Sequence, residues 1–263
     1  MTTRAPVRPP GRVRRLLRRP VAVAEAVIAQ RTVHLAPEPP GARSGVITPD
    51  GRTLPSPGTE GALRLEAVGD SLVAGSGVDS QGQALTPRIA RLLAAGTGED
   101  VAWSTHARLG STMRRVRYRF LPEVDQADVL LVCAGSNDLL ARRSLAEWEE
   151  DLEAVLDDAA SRARHVVVCS AGQLYRSPVL MRTLRRVLRE WTDAQTEASA
   201  AICARRRVPY VDVAHCDLAE GFWAQDGFHP SAAGYEMAAS MVTEPMLSAL
   251  GATRTGSPLR QEH

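Results

Sequence analysis

From residue 63 onward, short apolar runs alternate with longer segments in which apolar residues recur every three or four positions. The short runs are typical of buried strands and the longer segments of amphipathic helices. Strands are predicted at residues 65–68, 101–104, 129–133, 166–169 and 210–213, and helices at about 84–95, 112–120, 145–161, 179–206 and 231–249. This alternation requires parallel strands joined by right-handed crossovers, with helices covering both faces of one sheet.

Length and composition favour a single domain built around this sheet. The chain has 263 residues, and 44% of them are hydrophobic, which is enough to fill one buried core. We expect the domain to span residues 63–250 and a C-terminal tail to span residues 251–263. The preceding segment, 37–62, is dense in proline and glycine and shows no periodicity, which predicts an irregular connector on the surface.

Residues 1–36 form a basic N-terminal arm. They hold eight of the 32 arginines and a single acid, Glu25, and the chain contains no lysine. The remaining residues carry 24 arginines and 29 acids, so the body of the protein is mildly acidic. An enzyme that acts on nucleic acid would concentrate positive charge around its working site. This charge distribution therefore argues against a nucleic-acid partner.

The sequence leaves three interpretations of the arm open. Its apolar part, residues 20–29, is far shorter than the ~20 residues that span a bilayer, and Glu25 interrupts it. The arm can be a signal peptide for export, an amphipathic helix on an anionic membrane surface, or a helix that is solvated or packed on the body. We expect a cytoplasmic protein, with peripheral membrane contact and export as the open alternatives.

The cysteines are expected to be reduced and structural. Cys133, Cys169, Cys203 and Cys216 include no C-x-x-C pair and have no histidine at metal-ligand spacing. Cys133 and Cys169 fall inside strand-like runs, where a thiol packs as a small hydrophobic group. We therefore predict no metal site.

Side chains with catalytic potential follow the predicted strands. Ser71 follows the first strand, Gly110 the second, Asn137 the third, and Asp226 and His229 the fifth. Sites in parallel sheets lie beyond the carboxyl ends of the strands, so we expect these residues to lie together. A serine hydroxyl needs an imidazole to accept its proton and a carboxylate to orient that imidazole. The chain supplies all three groups.

Four short motifs at these positions resemble those of the SGNH (GDSL) hydrolase family. They are Gly69-Asp70-Ser71-Leu72, Arg108-Leu109-Gly110-Ser111-Thr112, Gly135-Ser136-Asn137-Asp138 and Asp226-Gly227-Phe228-His229. One tetrapeptide alone is weak evidence, but four motifs in order at strand ends are a specific signal. The resemblance covers about residues 63–250. It implies a flavodoxin-like three-layer α/β/α sandwich, here with a five-stranded parallel sheet, and ester or thioester hydrolysis without a metal or cofactor.

The resemblance and the chemistry together assign a role to each residue. Ser71 is the predicted nucleophile, His229 the general base and Asp226 the carboxylate that orients the imidazole. The backbone amides of Ser71 and Gly110 and the side-chain amide of Asn137 are the predicted oxyanion-hole donors. Structural alternatives exist for each: Ser71 can cap a helix, Asp226 and His229 can form a turn before the last helix, and Asn137 can bond its own backbone.

The loop after the fourth strand is expected to line the substrate pocket through Leu174 and Tyr175. We interpret the chain as a serine esterase of the lysophospholipase and thioesterase-like kind, which hydrolyses lipid or small acyl esters. A carbohydrate O-deacetylase of the same family and a catalytically silent lipid- or glycan-binding module are the alternatives.

Overall fold

The computed structural model describes residues 12–54 and 61–252, with side chains from residue 20 onward. Its centre is a seven-stranded sheet in the order β2-β1-β4-β3-β5-β6-β7. The strands β3 to β7 run parallel, whereas β1 pairs antiparallel with both β2 and β4. In chain order the strands are β1 Ser44–Ile47, β2 Thr53–Leu54, β3 Leu63–Gly69, β4 Val101–Ala107, β5 Ala127–Cys133, β6 Ala163–Cys169 and β7 Tyr210–Val211.

All five predicted strands are present, and they form the parallel part of the sheet in the order β4-β3-β5-β6-β7. This is the 2-1-3-4-5 order of flavodoxin-like folds, with a topological switch beside β3. The predicted number of strands is wrong, because β1 and β2 extend the sheet from five strands to seven. Both added strands come from residues 37–62, where an irregular connector was expected. Val46 and Ile47 are buried there, and this apolar run is too short to show a period among the prolines and glycines.

Helices cover both faces of the sheet. On one face α3 packs against α8, and on the other α6 packs against α7. Strand residues alternate between two cores: Leu65, Val129 and Leu131 belong to the α3 side, and Leu130 and Val132 to the α6 side. In chain order the helices are α1 Arg12–Thr32, α2 Ser71–Ala74, α3 Leu85–Thr97, α4 Met113–Arg115, α5 Ser136–Leu140, α6 Leu145–Ala159, α7 Arg182–Arg206 and α8 Ala232–Ala249.

The described part of the N-terminal arm is a helix that packs on the body of the protein. Helix α1 lies against α7, with Ala22 buried and Ala26 packed on the small core that contains Leu184. The Glu25 carboxylate, which interrupts the apolar segment, accepts a hydrogen bond from the Leu184 backbone N–H. Among the described residues, no helix combines the length and apolarity needed to cross a membrane. Membrane contact by the arginines stays a prediction, because the side chains of residues 12–19 lie outside the described part.

Gly69 allows the central strand to end in the tight turn that leads to Ser71. A Cβ atom at this position would lie 2.1 Å from the Cys133 carbonyl oxygen and 2.4 Å from the Val73 side chain. The first neighbour is backbone of the adjacent strand β5, so it cannot turn aside as the end of a flexible side chain can. The turn therefore requires glycine at this position.

We expect Gly69→Ala to destabilise the protein by at least about 2 kcal/mol, because overpacking against backbone forces β3 and β5 apart. Thermal unfolding followed by circular dichroism would show this as a Tm lower by roughly 4–8 °C for a domain of this size. The matched control is Gly82→Ala, since the nearest atom to a Cβ there is 3.9 Å away. Equal Tm values for the two variants would contradict this account of the turn.

Candidate active site

Ser71 begins α2 directly after the end of the central strand. Asp70 caps this helix, because its Oδ1 atom accepts a hydrogen bond from the Leu72 N–H at 3.0 Å. The turn is held from the other side by Tyr235 of α8, whose hydroxyl donates to the Ser76 carbonyl at 2.8 Å. Ser71 is 7% exposed and lines a cavity. Both the strand and α8 thus hold the serine in place.

Asp226 and His229 form a tightly bonded pair on the loop before α8. His229 Nδ1 lies 2.7 Å from Asp226 Oδ2, and both side chains are buried. A carboxylate only accepts hydrogen bonds, so Nδ1 carries the proton and the lone pair of the neutral ring lies on Nε2. Within the described part of the chain, His229 Nε2 is buried and has no hydrogen-bond partner. The ring is therefore a proton acceptor in the required tautomer.

Asp226 is held as a carboxylate by several donors. Its Oδ1 atom accepts from the backbone N–H groups of Phe228 and His229, both at 2.9 Å. Its Oδ2 atom accepts from His229 and from the Ala36 N–H, the latter at 2.8 Å. Burial acts to raise the pKa of Asp226, but these hydrogen bonds outweigh it and hold the pKa well below its usual range. The imidazole therefore faces a fixed negative charge.

Gly110 lies on the loop that follows β4, and Asn137 lies in the short helix α5 that follows β5; β4 and β5 are the two neighbours of β3. Gly110 adopts a left-handed conformation with φ of 82°, which favours glycine. Asn137 Nδ2 donates to the Ser111 carbonyl at 3.0 Å, which joins the two segments and leaves the second N–H of the amide for another acceptor. Asp138 joins them again, because its Oδ2 atom accepts from the Met113 N–H at 2.9 Å.

The structure places five of the seven predicted site residues in the lining of one cavity of about 100 Å³. Ser71, Gly110, Asn137, Leu174 and His229 all line it, and Asp226 lies directly behind His229.

Tyr175 is predicted to line the pocket, but the structure places it outside the lining of this cavity. Its hydroxyl donates to the Ala214 carbonyl at 3.0 Å, and its buried ring lies outside the cavity lining. The 3-10 turn Leu174–Arg176 directs neighbouring side chains in different directions, so only Leu174 faces the site. The sequence of the loop alone does not reveal which of its side chains faces the cavity.

The sequence analysis missed two residues of the N-terminal segment. Leu35 lines the cavity and is 43% exposed, and the neighbouring Ala36 donates its backbone N–H to Asp226. A backbone donor leaves no signal in the sequence. Among the described residues, no three His, Cys, Asp or Glu side chains are grouped as metal ligands would be.

Comparison with known proteins identifies the family of this chain. A model of the GDSL-like lipase/acylhydrolase family matches residues 67–237, well over half of the chain. This match shows a hydrolase that acts on ester bonds. The chain belongs to this family, which confirms the resemblance drawn from the four motifs. Among curated proteins, none matches the chain in sequence.

Solved structures share the fold at low sequence identity. A lipase/acylhydrolase from Enterococcus faecalis is 22% identical, with 74% of this chain and 100% of that chain covered and a TM-score of 0.54. A catalytic mutant of an acetylxylan esterase from Geobacillus stearothermophilus is 17% identical, with 75% and 99% covered and a TM-score of 0.54. The aryl esterase of M. smegmatis is 16% identical, with 72% and 100% covered and a TM-score of 0.55.

Asp70, beside the serine, is a fully buried carboxyl group whose Oδ2 atom has no partner in the described part of the chain. Burial raises the pKa of Asp70 to about 7, and the charge of Asp138 adds to the shift, whereas the amides of Leu72 and Gly135 oppose it. A raised folded-state pKa means that the neutral acid stabilises the fold at low pH. This stabilisation is lost as pH rises from about 4 through about 7.

We therefore expect Asp70→Asn, which keeps an acceptor for Leu72, to gain stability relative to wild type as pH rises. The difference in unfolding free energy between variant and wild type should grow by a few kcal/mol, in order of magnitude, between pH 4 and pH 8. Denaturant unfolding of both proteins at each pH measures it, and the comparison removes the contribution of other titrating groups. A difference independent of pH would contradict the assigned titration.

Proposed function

We propose that this protein is a serine esterase that hydrolyses carboxylic esters through an acyl-Ser71 intermediate. The observation that carries the proposal is His229, which lines the same cavity as Ser71 and keeps Nε2 free while Asp226 holds Nδ1. Ser71 Oγ attacks the ester carbonyl while His229 Nε2 takes its proton, and the imidazolium that forms is stabilised by Asp226. The same proton then goes to the leaving alcohol, and a water molecule releases the acid by the reverse sequence.

The negative oxygen formed in each step needs donors that are already in place. The backbone amides of Ser71 and Gly110 have no acceptor among the described residues, and Asn137 has its second side-chain N–H left over. All three residues line the cavity. One such donor lowers the barrier by roughly 3–4 kcal/mol, because it strengthens as the charge develops.

Ser71→Ala is expected to abolish esterase activity and labelling by a fluorophosphonate while leaving Tm nearly unchanged. Loss of a triad nucleophile usually costs many orders of magnitude in kcat. Hydrolysis of p-nitrophenyl acetate and mass spectrometry of the labelled protein measure both effects. Ser76→Ala is the matched control, since Ser76 lies in the same turn and is buried outside the cavity lining.

Two results would sink the proposal. One is a Ser71→Ala variant that keeps more than about a tenth of the wild-type kcat. The other is a wild-type protein that neither turns over esters nor takes up the label, which would favour the binding module that keeps only the fold.

The size of the cavity supports a small acyl group as the substrate. Its volume of about 100 Å³ is below the roughly 150 Å³ that holds a benzene molecule in a dry apolar cavity. A longer acyl chain has to leave the cavity over Leu35 and Leu140, which line its rim and are both 43% exposed. Leu140 also lines a second, apolar cavity of about 350 Å³ between α1 and α7. We propose that acyl groups of a few carbons are preferred.

A chain-length series of p-nitrophenyl esters tests this preference. We expect kcat/KM to be highest for acetyl to butyryl esters and to fall at least tenfold by dodecanoyl, because an acyl chain too long for the cavity must displace its walls or bend out over the rim, and it gains no burial that would offset this cost. A maximum of kcat/KM at acyl groups of ten or more carbons would contradict the preference for short acyl groups. It would place the acyl chain in the cavity between α1 and α7. Leu140→Ala would then change the long-chain rates alone.

A carbohydrate O-deacetylase is the second candidate. The half-buried Trp223 lines the cavity and packs edge-on against Phe222, so its ring is available to stack on a sugar. The acetyl group also fits the proposed pocket. Faster release of acetate from acetylated xylan than from p-nitrophenyl acetate, with loss of that preference in Trp223→Ala, would favour this candidate.

A further inference from the structure

Residues 33–43 connect the end of α1 to β1 and cross the carboxyl edge of the sheet. We call this segment the strap. It lies outside residues 67–237, which match the family model. Its contacts reach the three parts of the protein that carry Asp226, Gly110 and Ser71.

The first contact is with the carboxylate of the Asp226–His229 pair. The Ala36 N–H donates to Asp226 Oδ2 at 2.8 Å, the same oxygen that faces His229 Nδ1. Within the described part of the chain, the Oδ1 atom accepts only from amides of its own loop. Ala36 is thus the donor from outside that loop, and it adds a further hydrogen bond that restrains the rotation of the carboxylate plane.

The second contact is with the loop that carries Gly110. Glu38 Oε1 accepts from the Leu109 N–H at 2.6 Å, one residue before the glycine. The other oxygen of Glu38 pairs with Arg43, whose Nη1 atom donates to the Ala107 carbonyl at 2.7 Å. Glu38 and Arg43 of the strap therefore hold both ends of the segment that leads from β4 to Gly110.

The third contact is with the serine turn and runs through Gln81. The buried Gln81 side chain donates to the Pro39 carbonyl at 3.1 Å and to the Ala74 carbonyl of α2 at 3.0 Å. Its backbone N–H donates to the Pro40 carbonyl at 2.9 Å. The strap is therefore joined to the same short helix that begins with Ser71.

We infer that the strap is a positioning element of the active site, in which the Ala36 N–H sets the carboxylate of Asp226 and the Glu38 carboxylate sets the Gly110 loop. This inference rests on the proposed serine-esterase function. The physical reason is preorganisation, because Asp226 and the oxyanion donors act on charges that exist only in the transition state. A small displacement of either group raises the barrier without changing how the ester binds.

Ala36→Pro removes the N–H and tests the first half of the inference. Pro37 already restricts residue 36 to extended or polyproline backbone, which proline also adopts, and the proline Cδ atom takes the place of the hydrogen that faces Asp226 Oδ2. We expect kcat for p-nitrophenyl acetate to fall about 10- to 100-fold, as for loss of a hydrogen bond to a charged group, with KM changed less than about twofold. Ala36→Gly keeps the N–H and is expected to recover most of kcat.

A merely structural role predicts a different result. If the strap only stabilises the fold, Ala36→Pro lowers Tm and leaves kcat of the folded enzyme at the wild-type value. If the strap only forms the pocket wall, through Leu35, KM rises alone. Either result would overturn the inference, as would equal kcat values for the proline and glycine variants.

Glu38 supplies a second test that does not depend on proline. Glu38→Ala leaves the Leu109 N–H without its acceptor and should lower kcat about tenfold, whereas Glu38→Gln keeps a neutral acceptor and should retain most of it. Equal activities of the two variants would remove Glu38 from the inference. Fluorophosphonate labelling of Ser71 in the wild-type protein separates the strap inference from the proposed esterase function. If wild type is labelled and the strap variants keep the wild-type kcat, only the strap inference is refuted. If wild type is not labelled, the esterase function itself is refuted.

Discussion

The position of β3 between β4 and β5 is the constraint on which the site depends. Parallel pairing brings the carboxyl ends of all three strands to one edge of the sheet. After β3 the chain forms β4 on one side of it and then β5 on the other side. The serine at the end of β3 is therefore flanked by the Gly110 loop and the Asn137 turn. The order of the strands thus places the nucleophile between two sets of donors, and hydrogen bonds between the Gly110 loop and the Asn137 turn hold these donors together.

This arrangement depends on close backbone approach at the end of β3. Gly69 lets the strand turn against the Cys133 carbonyl, and Asp70 closes the turn by capping α2. This turn buries the carboxyl group of Asp70, and its raised pKa lowers the stability of the fold at high pH.

The pair formed by Asp226 and His229 depends on a different part of the chain. The family-matched region supplies both residues, and the donor that completes the carboxylate comes from the strap before it. The described chain before β1 thus has two distinct portions: α1 packs on α7, and the strap reaches the site. Its arginine content alone gave no reason to connect it with catalysis.

Local patterns in the sequence were sufficient for the parallel strands and the long helices α3, α6, α7 and α8, and they supplied the candidates for the reactive side chains. Periodicity reports which residues are buried, and motifs such as Asp226-Gly227-Phe228-His229 act over a few residues, so both are legible without coordinates. The tertiary structure alone decided the two antiparallel strands, the inward turn of Tyr175 and the contact of Ala36 with Asp226. These features depend on backbone hydrogen bonds and on packing between segments up to 190 positions apart. A backbone amide is the same in every residue except proline, so its partner becomes apparent only when the chain has folded.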